Sequence, residues 1–303
     1  MRTVEAPPIP RHFLRVSDLD STGLAALLDL AGQMKVRPHG FVDVLRGNTL
    51  VCFFEKPSTR TRVSFAAAAE RLGMLPLLLR PDELQLGRGE PIADTARVLS
   101  GYAAAIVVRT FAQATIEEMA TVATVPIINA LTDEHHPCQA LADLLTLREH
   151  FGRLQGLRVA FVGDGNNVAT SLVEAGRLAG IEVVVAAPPG YEPKIAGARV
   201  VIDPVEAVDG AHAVYTDVWV SMGEEAEREA RLRELRRYQV DARIMSHARP
   251  EAIFMHCLPA HRGEEVAAEV IDGPRSIVWQ QAENRMPTEE ALLLALVARR
   301  WEA

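Results

Sequence analysis

Lysine is scarce in this chain. It occurs only as Lys35, Lys56 and Lys194, so nearly all of the 32 basic residues are arginine. Positive charge is short overall as well, since 40 acidic residues leave a formal net charge of −8. That excludes nucleic acid as the main partner, because binding a phosphate backbone needs a basic face. Cysteine is limited to Cys52, Cys138 and Cys257. Three scattered cysteines cannot form a disulfide framework, and a reducing cytoplasm is the expected location. No apolar run approaches the roughly 20 residues of a membrane span, so no membrane partner is expected. The stretch Met1 to Leu14 contains Pro7, Pro8 and Pro10 but no apolar h-region, and does not read as a signal peptide. Internal repeats and low-complexity segments are also missing.

What is present is an ordinary globular composition, 49% hydrophobic and 24% charged over 303 residues. That length holds two ordinary domains or one large one. Short apolar runs alternate with amphipathic stretches, which is the α/β signature. Strands are expected at 50–54, 105–109, 126–129, 158–162, 182–186, 200–202, 213–217, 253–256 and 276–279. Helices are expected at 59–72, 92–101, 115–122, 137–151, 167–179 and 287–300. Gly223 to Arg237, dense in Glu and Arg, reads as a solvated helix face. Composition shifts at Gly152 to Gly156. The expected architecture is α/β, with two parallel-sheet domains and an active-site cleft between them.

Five segments carry chemistry. Ser58-Thr59-Arg60-Thr61-Arg62 follows a strand and opens a helix. Hydroxyls, helix N–H groups and guanidinium forks there suit a phosphate dianion. A capped helix with two surface arginines is the competing reading. The run is not a P-loop, since the Gly-rich segment and its lysine are missing. His136-Pro137-Cys138-Gln139 also starts a helix. His136 and Gln139 share a face, and an imidazole with a carboxamide suits an amide-like group. The neighbours His135 and His136 diverge on a helix, and no matching pair follows at zinc-site spacing, so no metal is expected.

Gly163-Asp164-Gly165-Asn166-Asn167 follows a strand but breaks the dinucleotide pattern at Val168. Asn167 is either a substrate contact or a helix cap. Asp217-Val218-Trp219-Val220-Ser221-Met222-Gly223 lies at a strand end, where ligand sites of α/β proteins gather, and Asp217 could pair with a substrate ammonium. His256-Cys257-Leu258-Pro259 follows another strand. Neighbouring side chains point opposite ways in extended chain, so His256 is a poor base for Cys257.

Together, and in order, these segments resemble the carbamoyltransferase family on its ornithine-type branch. Phe54 to Arg62 resembles the family's carbamoyl-phosphate signature, and His136 to Gln139 its second carbamoyl-phosphate element. Asp217-x-x-x-Ser221-Met222-Gly223 and His256 to Pro259 resemble the ornithine-type features. The resemblance runs from about residue 11 to the end of the chain. It implies a carbamoyl-phosphate domain over 1–150, joined by a C-terminal helix at 288–303, and an ornithine domain over 151–287. It implies that Ser58, Thr59, Arg60, Thr61 and Arg109 bind carbamoyl phosphate, that Gln85 reaches a neighbouring subunit's site, and that His136 and Gln139 hold the carbamoyl group. Cys257 and Leu258 then lie near the reacting groups, and Arg285 closes on the phosphate. Asn167, Asp217, Ser221 and Met222 take the amino-acid end of ornithine. Arg60, His136 and Cys257 are the implied catalytic residues. The implied activity makes citrulline and phosphate in arginine metabolism, in a homotrimer or an assembly of trimers, with no metal or organic cofactor.

Overall fold

The computed structural model describes residues 3–5, 7, 9–83, 89–220, 223, 225–298 and 300–302. Two compact units divide the chain: residues 1–145 with 284–303, and residues 146–283. The first boundary falls inside a helix, and the second comes just before the final helix.

The first unit holds β1 (Thr3–Glu5), α1 (Ser21–Val36), β2 (Thr49–Phe54), α2 (Thr59–Arg71), β3 (Leu75–Leu79), α3 (Ile92–Ser100), β4 (Ala105–Arg109), α4 (Gln113–Val122), β5 (Ile127–Leu131) and most of α5 (Pro137–Phe151). Its sheet is parallel, in the order β3-β2-β4-β5. β2, β4 and β5 are nearly continuous apolar runs because both of their faces are covered. Val51 and Phe53 of β2 join Ile106, Val108, Ile116 and Met119 in one core cluster. β3 is the edge strand, which is where Pro76 costs no ladder bond.

The second unit holds β6 (Arg158–Val162), α6 (Asn167–Ala179), β7 (Glu182–Ala186), β8 (Arg199–Val201), α7 (Pro204–Val208), β9 (Ala213–Tyr215), α8 (Arg228–Leu235), α9 (Ala242–His247), β10 (Ile253–Met255), α10 (Ala268–Ile271) and α11 (Val278–Glu283). Its parallel sheet runs β10-β9-β6-β7-β8. Ala160, Val162, Val184, Val214 and Phe254 pack on one side with Val208, Tyr238, Ile244 and Met245.

The chain ends in α12 (Arg285–Val297) and β11 (Arg300–Glu302), which belong to the first unit. Pro287 sits in the first turn of α12, where no intrahelical N–H is required. α12 packs on α1 and α2, and β11 pairs antiparallel with β1.

One expected strand is corrected. Ser276 makes a single bridge to Phe254, and Val278 onward is helical. The three apolar residues Ile277 to Trp279 do not separate strand from helix, and here Gln280 to Glu283 continue them as α11. The Glu/Arg-rich segment also departs from a wholly solvated face. Arg231 of α8 turns inward to Asp164, and Leu235 is buried.

Candidate functional site

In each parallel sheet the strand order reverses beside the sheet's first strand in sequence. In the first unit β2 lies between β3 and β4; in the second, β6 lies between β9 and β7. Loops leaving the carboxyl ends at such a reversal diverge and leave a crevice for ligands. Ser58 to Arg62, Gly163 to Asn167 and Asp217 follow β2, β6 and β9 at these reversals, while His136 and Cys257 follow the edge strands β5 and β10.

In the first unit, Glu55 to Ser58 leave β2, Arg109 ends β4, and Thr132 to His136 leave β5. Ser58 is the N-cap of α2, its hydroxyl accepting the N–H of Thr61 at 3.2 Å. The helix thus presents its positive end beside Thr59 and Arg60. Arg62 faces the ring of Phe54, with its guanidinium carbon 5.9 Å from the centroid. Lys56 pairs with Asp133 and lies over Phe111.

The deepest contacts join segments far apart in the chain. Arg285 is 3% exposed. It donates from Nη1 to Gln139 Oε1 at 2.8 Å and from Nη2 to Thr61 Oγ1 at 3.0 Å. Gln139 turns its amide nitrogen to Asp143 Oδ1 at 2.8 Å. His136 is buried beside this group. Burial pushes its imidazole well below the usual histidine range, and the cations Arg285, Arg109 and Arg60 push it further. His136 is therefore neutral and acts as a hydrogen-bonding group, not as a charge. The loop before it is held by Thr132, whose hydroxyl accepts the N–H of His135 at 3.1 Å and donates to Gln113 Oε1 at 2.8 Å.

In the second unit Asp217, 6% exposed, is the centre. Its Oδ1 accepts the thiol hydrogen of Cys257 at 3.0 Å, and its Oδ2 accepts from Asn166 Nδ2 at 2.8 Å. The helix cap of α6 is Asn166, whose Oδ1 takes the N–H groups of Val168 and Ala169. The capping role considered for Asn167 therefore falls to its neighbour, and Asn167 is the first residue of the helix. His256 makes no bond to Cys257. Its Nδ1 accepts the N–H of Leu258 at 2.8 Å, and its Nε2 faces Glu265 at 3.3 Å. Leu258 adopts a φ of +61°, a region that a leucine enters only when its surroundings hold it there.

The turn after β6 is closed by its own chain. Gly165 donates to Tyr191 O at 2.8 Å, and a Cβ at position 165 would lie 2.6 Å from that oxygen. Arg231 lies over Tyr191 and bonds Asp164 at 2.9 Å. A dinucleotide turn needs this space open for a pyrophosphate.

Among the described residues, two groups have metal-ligand chemistry within reach of one another: Asp217, His256 and Cys257, and His261, Glu264 and Glu265. In the first, the bonds just given already engage Asp217, Cys257 and His256 Nδ1. In the second, Glu264 pairs with Arg228. Neither contains His135 or His136.

Of the sequence-derived positions, Thr61, His136, Gln139, Arg109, Arg60 and Arg285 come together in the first unit, and Asp217 and Cys257 in the second. Gln85, Ser221 and Met222 lie outside the described residues. Three partners were not singled out from the sequence: the half-buried Asn166 and the buried Asp143 and Glu289. Asp143 and Glu289 each follow a site residue by four positions on one helix, so helical spacing offered a signal for both.

Comparison with known proteins gives the family. Residues 11–149 match the family model for the carbamoyl-P binding domain of aspartate/ornithine carbamoyltransferase. Residues 155–296 match the model for its Asp/Orn binding domain. The chain is 50% identical to the ornithine carbamoyltransferase of Carboxydothermus hydrogenoformans, covering 95% of this chain and 97% of that protein. It is 53% identical to that of Methanothermobacter thermautotrophicus, over 93% and 97%. The structure is similar to the ornithine carbamoyltransferase of Pyrococcus furiosus, with a TM-score of 0.91, 46% identity, and coverage of 97% and 99%. The chain belongs to the aspartate/ornithine carbamoyltransferase family.

Proposed function

We propose that this chain transfers the carbamoyl group of carbamoyl phosphate to the side-chain amine of L-ornithine, releasing citrulline and phosphate in arginine metabolism. The observation that carries the reading is the buried group of Thr61, Gln139 and Arg285 beside a neutral His136. It offers cationic donors for a phosphate next to uncharged groups for an amide, which are the two ends of carbamoyl phosphate.

The substrate is already an activated mixed anhydride, so neither a metal nor an organic cofactor is required. Ser58, Thr59, Arg60, Thr61 and Arg109 bind its phosphate at the N-terminus of α2, together with Gln85 from a neighbouring copy. His136 and Gln139 hold the carbamoyl group, and Leu258 lies beside it. Asn167, Asp217, Ser221 and Met222 hold ornithine. The amine of ornithine has a lysine-like pKa of about 10.4 and must lose a proton before it attacks. Asp217 and Cys257 orient that amine and help remove the proton. Nitrogen then adds to the carbonyl carbon. The tetrahedral oxyanion is stabilised by Arg60, Thr61 and His136. The bond from carbon to the phosphate oxygen breaks, and Ser58, Arg60, Arg109 and Arg285 take the charge of the departing phosphate.

The same reading makes the working assembly a homotrimer, or trimers joined further, because Gln85 serves a neighbouring site. It places the enzyme in the reducing cytoplasm. None of Cys52, Cys138 and Cys257 forms a disulfide, and no helix among the described residues is long and apolar enough to cross a membrane.

Replacing Arg60 with Gly tests the phosphate role. Citrulline formation should fall by at least about 100-fold, the scale of losing a transition-state donor, with circular dichroism unchanged. Near-normal turnover in that variant would remove Arg60 from the mechanism.

A further inference from the structure

Two glutamates on α12, Glu289 and Glu290, are each 1% exposed. Buried carboxylates are rare without a partner of opposite charge. Successive helix side chains diverge, so each finds a different one. Glu290 lies 3.6 Å from Arg71, a partly exposed residue at the end of α2. Glu289 lies one turn after Arg285 and accepts from it twice through one oxygen, from Nε at 3.1 Å and from Nη2 at 2.8 Å.

That geometry has a direction. A guanidinium has a side edge, made of Nε and one Nη, and an end edge, made of both Nη atoms. Glu289 takes the side edge. The end edge faces Thr61 Oγ1 and Gln139 Oε1. A carboxylate on the side edge fixes the rotation of the guanidinium plane, which the long arginine side chain would otherwise leave variable. We propose that Glu289 is a positioning residue for carbamoyl phosphate: it holds Arg285 so that both Nη atoms face the carbamoyl-phosphate residues Thr61 and Gln139 before substrate arrives. This rests on the reading of Arg285 as a phosphate contact. Ser64, also on α2, supports the Glu289 carboxylate, and burial and Arg285 act on it in opposite senses. Glu289 needs no contact with substrate; it acts by limiting the orientations that Arg285 explores.

The test is steady-state kinetics on wild type, Arg285→Ala, Glu289→Gln, Glu289→Asp and the double variant Arg285→Ala/Glu289→Gln, with thermal melting of each. Inorganic phosphate serves as a competitive probe of the same site without turnover. Glu289→Gln keeps the shape and removes the charge. It should raise KM for carbamoyl phosphate and Ki for phosphate by about tenfold, leaving KM for ornithine within about twofold. Glu289→Asp keeps the charge but draws it back by one methylene, and should fall between. In the Arg285→Ala background, Glu289→Gln should add nothing, because its effect passes through Arg285. A packing role alone would shift melting in both backgrounds and leave the KM split absent.

The outcomes separate the two claims. If Arg285→Ala leaves both phosphate constants unchanged, the reading of Arg285 fails and this proposal with it. If Arg285→Ala weakens phosphate binding but Glu289→Asp and Glu289→Gln match wild type, the positioning role alone is overturned. If Glu289→Gln does not fold, the Asp variant decides: wild-type phosphate constants in that variant overturn the proposal.

Discussion

The thiol of Cys257 donates to Asp217 Oδ1 at 3.0 Å, while the other oxygen of that carboxylate accepts from Asn166 at 2.8 Å. One buried acid thus ties the loop after β9 to the loop after β10 and to the cap of α6. Both oxygens are oriented, so the negative charge has a fixed place to meet an amine.

Asp217→Asn keeps the size and removes the charge. Losing a charge-assisted contact of about 1.5–3 kcal/mol lowers kcat/KM for ornithine roughly 10- to 100-fold. Ki for inorganic phosphate, read as competition with carbamoyl phosphate, should not change. Cys257→Ala removes only a neutral donor, and the expected loss is about 3- to 10-fold. Equal losses in the two variants would mean that the thiol, not the carboxylate, handles the amine.

His136 should remain neutral where an ordinary histidine titrates. Its pKa is depressed by burial and then by Arg285, Arg109 and Arg60. The unfolded chain takes up a proton near 6.5 and the folded chain does not, so His136 makes stability fall as pH drops below 6.5. Nitrogen chemical shifts of the labelled imidazole should show no titration between pH 7.5 and 6. A midpoint near 6.5 would contradict the enclosed, cation-lined setting.

Glu290 has the opposite sign. Desolvation raises its pKa from 4.5 to about 7, against a smaller opposing pull from Arg71. The folded chain keeps this proton to higher pH than the unfolded chain. Stability is therefore favoured below 4.5 and lost as pH rises toward 7. Denaturant midpoints at pH 5 and pH 8 should differ less in Glu290→Gln than in wild type. An identical difference in the two proteins would show that Glu290 is not titrating in that window.

Much of this was readable in advance, for physical reasons. β2, β4, β6 and β7 are buried on both faces, so each is an uninterrupted apolar run between turn residues. α5 and α6 announce their starts through Pro137 and the paired asparagines 166 and 167. β3 was harder to see, because Pro76 argues against a strand unless the strand lies at an edge. The 276–279 run reads as a strand but folds as helix, because its three apolar residues carry no period. In the site, the residue types and their order pointed to a phosphate and an amide. The contacts did not show, because they join distant segments. Thr61 and Arg285 are 224 positions apart, and Gln139 and Arg285 are 146 apart. No local pattern reports such a pair. Asp143 and Glu289 are within reach of helical i,i+4 spacing from Gln139 and Arg285, whereas Asn166 shows only through the partner it holds.

The central claim concerns the acceptor, and a side-by-side carbamoylation assay tests it most directly. Carbamoyl phosphate is supplied with L-ornithine, L-aspartate, putrescine or N-acetylornithine, and both released phosphate and carbamoylated product are measured. The expected result is a dominant rate with L-ornithine and formation of citrulline, with the other three far slower. A dominant rate with putrescine or N-acetylornithine, or no phosphate release with ornithine, would contradict it.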